Sequence, residues 1–225
     1  MGMKGKVALG AVVGIVVIGA VSANSGDDSD STSGDKGSSA SAQAKPGGKK
    51  ETARAAEEKK IAFEGDGDFQ VGPDIKPGTY RTSGNDDGMC YWERAKDSSG
   101  EMDSLLANDN VTGTSYVTVK ASDKLFKSSD CNDWEAVDTK AKGSPAATMA
   151  GDGGMFRVGA DIAPGTYKST GNKDDMCYWE RTKDAEHGLD SIIANDNVTG
   201  SAVVTISASD TYFKTSGCTD WKKTG

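Results

Sequence analysis

The chain has 225 residues, a formal net charge of -8 and a single histidine. Its length allows one or two domains, and its acidity repels phosphate backbones, which excludes nucleic acid as a partner. Residues 63–137 carry 15 acidic against 7 basic side chains and residues 151–225 carry 11 against 8, so the negative charge belongs mainly to the first half of the folded part.

The first six residues hold two lysines and no acid, and residues 7–23 are apolar apart from small residues. Residues 1–23 read either as a cleaved signal peptide, with Val21-Ser22-Ala23 as the small-x-small cut, or as an uncut apolar helix anchoring the chain in a membrane. Both readings leave the lysines inside and everything after Ala23 outside. The protein is therefore expected to be extracytoplasmic, either membrane-anchored by one pass with its C-terminus outside or secreted.

Residues 24–63 follow as a spacer. Residues 24–50 are Ser, Gly, Asp, Ala and Lys with no large apolar side chain, too little to offset chain entropy, and are expected to be disordered. Residues 51–63, "ETARAAEEKKIAF", hold helix formers with charges three to four apart and predict a short, marginal helix.

Residues 64–137 and 151–225 are then two copies of one domain, joined by a linker over 138–150. Aligned without gaps from Phe69 and Phe156, 40 of 69 positions are identical. "CYWER" stands at Cys90 and again at Cys177. In each copy Pro-Gly precedes "TY", and alternating runs such as "SYVTVKA" and "AVVTISA" read as strands. Five or six short strands per copy predict an all-β protein of two tandem antiparallel sandwich or barrel domains.

A domain of about 70 residues has a thin core and often needs a covalent staple. The duplication favours pairing within each copy, Cys90 with Cys131 and Cys177 with Cys218. Export permits oxidation. Trp92 shares a strand face with Cys90 and is expected over the sulfurs, with Trp134 closing the cluster, while Tyr91 and Glu93 point the other way.

The residue types argue against an enzyme. No histidine is shared by the copies, and the cysteines are spent on structure. A carboxylate group built from Glu93, Asp103 and Asp109 is the nearest thing to a hydrolytic site. The Asn and Asp runs offer three readings: local turns, a partner-binding surface, or calcium ligands, although their spacing matches no EF-hand loop. No metal site is expected otherwise.

As a set, "VGPDIKPGTYRTSG", "CYWER", "LLANDNVTG" and "VTVKASDKLFKSSDC" with its trailing "DW" resemble a tandem repeat of secreted and membrane-anchored actinobacterial envelope proteins. The resemblance covers both copies. It implies an envelope location and a small all-β module, and no reaction or catalytic residue. The expected function is a non-enzymatic surface protein with two tethered binding modules, their ligand a cell-wall glycan or a surface protein. The other reading is an inert spacer of the envelope. The residues expected to bind are Tyr91, Glu93, Asn108, Asp109 and Asn110, with Tyr178, Glu180, Asn195, Asp196 and Asn197.

Overall fold

A computed structural model describes residues 61–225. The apolar N-terminal segment, the spacer and all but the end of the expected helix lie outside these residues. Among the described residues, no helix is long and apolar enough to cross a membrane. The chain divides between Ala53 and Arg54, and everything described belongs to the second unit.

Each copy is all-β with the same six strands. The first holds β1 (Ile61–Phe63), β2 (Gly67–Gln70), β3 (Gly78–Ala95), β4 (Leu105–Val119), β5 (Leu125–Ser129) and β6 (Trp134–Ala136). The second holds β7 (Thr148–Met149), β8 (Gly154–Arg157), β9 (Gly165–Thr182), β10 (Ile192–Ile206), β11 (Tyr212–Ser216) and β12 (Trp221–Lys223). The sequence predicts short strands throughout, but the "GTYRTSG" and "CYWER" runs are one strand of 18 residues.

That strand, β3, pairs antiparallel with β4 along its length. Its other edge takes β6 at Tyr80 and Arg81, then β5 from Tyr91 to Ala95. Between these stretches the ladder shifts register at Asn85. Gly84 turns there with a φ of 82°, a left-handed conformation that costs glycine little. The buried Asn85 side chain holds the bend: its amide donates to Gly113 O at 3.0 Å, and its oxygen accepts from Asn132 N at 2.8 Å. Asn172 does the same with Gly200 and Thr219 in the second copy.

The disulfides close as expected, Cys90 to Cys131 and Cys177 to Cys218. Each ties the turn after the fifth strand to the middle of the bent one. Trp92, Trp134 and Phe126 pack with Cys90 in the first core, and Cys177, Phe213 and Trp221 share the second. Two indoles find matching acceptors: Trp134 Nε1 donates to Ser128 Oγ and Trp221 Nε1 to Thr215 Oγ1, each at 2.9 Å.

The end of the expected helix, residues 61–63, is strand β1, paired with β6. Phe63 is the reason. Its ring is buried, with centroids 4.9 Å from those of Phe69 and Tyr80 and 5.9 Å from Trp134. An aromatic side chain that gains this much burial outweighs a weak local helix preference. Met149 stands at the matching place against Trp221.

Residues 138–150 are not a free tether. Arg157 donates from its guanidinium to Asp138 O at 2.8 Å and Ala141 O at 2.9 Å. Ala146 bridges to Ile162, and β7 joins the second copy's sheet.

Candidate functional site

Strand alternation explains how the chain uses CYWER. Cys90, Trp92 and Arg94 point inward, and Tyr91 and Glu93 point outward. Arg94 is buried because its guanidinium grips Asp123 bidentately, Nε to Oδ2 at 2.7 Å and Nη2 to Oδ1 at 3.1 Å. Arg181 and Asp210 repeat this at 2.6 and 2.9 Å. Two parallel charge-assisted bonds fix the planar guanidinium. Sequence reasoning missed both aspartates, although their "SD" is unchanged between the copies.

The outward residues form one cluster per copy. Tyr91 Oη donates to Glu93 Oε2 at 2.8 Å, and Asn108 Nδ2 donates to Tyr91 Oη at 3.4 Å. Tyr178 donates to Glu180 at 2.6 Å and accepts from Asn195 at 3.2 Å. Burial and the neighbouring carboxylate push the Tyr178 hydroxyl up to about 12, and the same causes raise Tyr91. Both phenols therefore stay protonated donors at neutral pH. Asn110 lies opposite Tyr91 and joins this face, with Asn197 opposite Tyr178 in the other copy.

Asp109 does not join it. Its register partner is Trp92, so it faces the other way, and the Glu93, Asp103 and Asp109 carboxylates do not converge on one face. Asp103 instead pairs with Lys96. Among the described residues no group of three or more His, Cys, Asp or Glu side chains is placed to hold a metal ion.

Beside each cluster lies a small cavity. In the first copy it holds about 200 Å³ and is lined by Tyr91, Glu93, Asp97, Ser104, Asn108 and Lys127. In the second it holds about 170 Å³, and Asn108 and Asp109 of the first copy form part of its wall, with Glu180, Asp184, His187 and Lys214. The second copy's candidate face is thus already engaged, and what engages it is the β4 edge of the first.

This contact joins the sheets. Thr114 pairs with Gly154 in a parallel bridge, and Thr114 N donates to Gly153 O at 3.0 Å. Thr118 N donates to Ala185 O at 2.7 Å. A side chain at Gly154 would collide with Thr114 O, so glycine is needed for the close approach. Tyr116, Met155, Ala185 and Tyr212 form a third buried cluster across the contact. Tyr116 also donates to Asp161 at 2.7 Å, Lys214 Nζ reaches Asp109, and Lys120 pairs with Glu186.

His187 seals the seam. Its ring packs edge-on against Trp92 at 4.7 Å, and Nε2 lies 2.7 Å from Tyr116 O. A carbonyl only accepts, so Nε2 carries the proton. Burial pushes the imidazole below its ordinary value, more than the nearby Asp109 raises it. His187 adopts a φ of 59°, where the first copy has Gly100. A non-glycine residue in that conformation is uncommon, and the interface holds it there.

No curated protein and no solved structure matches the chain. Residues 61–135 and 147–222 each match the family described as Rv1352-like extracellular domain. The chain therefore belongs to the Rv1352-like extracellular domain family as a tandem of two copies, and its place is outside the cytoplasm.

Proposed function

We propose that this is a non-enzymatic surface protein that works through one free docking face, the Tyr91, Glu93, Asn108 and Lys127 face of the first copy, and that its ligand is a protein of the cell surface. One observation carries the reading. The matching face of the second copy already takes a polypeptide edge: Asp109 of β4 pairs with Lys214, and Asn108 and Asp109 share a cavity wall with Glu180. A surface that binds a strand edge in one copy is suited to bind one in the other. The two copies pack against each other and leave a single open face, so avidity through two independent modules is not part of this account.

A cell-wall glycan is the second reading. The cavity beside Tyr91 is lined by hydroxyl, carboxylate, amide and ammonium groups that can bond to sugar hydroxyls. An inert spacer would need no such face. The test is cosedimentation of residues 54–225 with isolated cell envelopes, before and after protease treatment of the envelopes. The proposal expects binding that protease abolishes and that Lys127→Glu weakens. Binding that survives protease supports the glycan, and no binding leaves the spacer.

A further inference from the structure

The contact between the copies is heterologous: the β4 side of one copy meets the β8 and β11 side of the other. A heterologous contact leaves both complementary surfaces free at the ends. We propose that the second copy of one chain docks its free β10 edge on the first copy of another chain, so that the molecules associate head to tail. This rests on the docking-face reading and names its partner as a second copy of this chain.

Burial marks both free surfaces. Along β4, Gly113 and Tyr116 are buried and Thr114 is half-buried, whereas Gly200, Val203 and Ser201 at the matching places in β10 are all exposed, Val203 by 63%. Trp92 is wholly buried under His187, while Trp179 at its matching place is only partly so. At the other end β8 is covered and its counterpart β2 is half open. A 15-residue strand with a free edge is a ready template for pairing.

The charges that register the contact are present in both copies. Asp109 meets Lys214 within the chain, and the matching residues on the free surfaces are Asp196 and Lys127. Lys127 rests on its own Glu93 at 3.3 Å, whereas Lys214 has turned to the incoming Asp109. The first copy thus shows the face before docking and the second shows it after. The main-chain pattern has counterparts as well: Ser201 and Thr205 N–H groups would take the places of Thr114 and Thr118, with Asp66 and Ser98 carbonyls as acceptors.

The contact between chains is weaker than the one within. Tyr116, Tyr212, Met155 and His187 are replaced by Val203, Leu125, Asp68 and Gly100 at the matching positions. Less apolar area and fewer side-chain bonds make a reversible association.

The experiment is sedimentation equilibrium of residues 54–225 over a wide concentration range, with Lys127→Asp and Asp196→Lys made separately and then mixed. Both sites are on the surface, and circular dichroism checks that each variant folds. Wild type should associate beyond dimers as concentration rises. Each reversal should lower the association constant about tenfold or more. Mixing the two should restore association, because every head-to-tail contact in the mixture can again pair opposite charges. A monomer at all concentrations, or association that neither reversal changes, overturns the proposal. Envelope binding that persists in that case, and that Lys127→Asp abolishes, keeps the docking face and assigns it a different protein.

Discussion

Lys214 Nζ lies 2.7 Å from both carboxylate oxygens of Asp109, a residue of the other copy, whereas Lys127 at the matching place lies 3.3 Å from Glu93 of its own copy. Lys214 and Asp109 are both largely sheltered from water. A double-mutant cycle on Lys214→Ala and Asp109→Ala, read by urea denaturation, should give a coupling of about 1–2 kcal/mol. The same cycle on the more exposed Lys127 and Glu93 should give about 0.5 kcal/mol or less.

The His187 ring makes the seam pH-sensitive. Its folded value lies below the ordinary 6.5, so between those two values the unfolded chain binds more protons than the folded one. Stability from this group is complete above pH 6.5 and is lost as the pH falls below it. Burial is the main cause of this shift, the Lys214 charge adds to it, and the Asp109 and Glu180 charges oppose it. Thermal denaturation from pH 8 to 5 should show a falling midpoint for wild type. His187→Gly should start lower and follow the pH less steeply over that window.

Removing an aspartate from the buried pairs should cost more in the first copy. Asp123→Ala strands a guanidinium that is only 4% exposed, while Asp210→Ala strands one that is 21% exposed and can be hydrated. The first should cost about 3–5 kcal/mol and the second clearly less, by chemical denaturation. Both also free a backbone N–H, that of Lys120 or Ser207.

Each disulfide spans a separation of 41 residues. Replacing Cys90 and Cys131 together with serine should lower stability by about 4 kcal/mol on the chain-entropy account. A reducing agent should move the wild-type denaturation midpoint in the same direction.

Much of the fold was legible because the chain contains its own comparison. Retention between copies picked out the cysteine pairs, the inward tryptophans and the outward Tyr-Glu-Asn cluster, and strand alternation then placed them. Retention also marked Asp123 and Asp210, but a partner 29 residues away leaves no local pattern. Phe63 was hidden by helix-forming neighbours whose preference tertiary burial overrides. The contact between the copies was the hardest to see, for a physical reason. Its principal side chains are those that differ between copies: Tyr116 against Val203, Met155 against Asp68, His187 against Gly100. The informative signal was a large residue in one copy facing a small or polar one in the other.

The central claim is that the first copy presents a free docking face and the second an occupied one. Site-specific photocrosslinking on intact cells addresses it, with the crosslinker placed in turn at Lys127 and at Lys214. The account predicts intermolecular adducts from position 127, and from position 214 only links within the chain. Equal intermolecular adducts from both positions, or none from position 127, would contradict it.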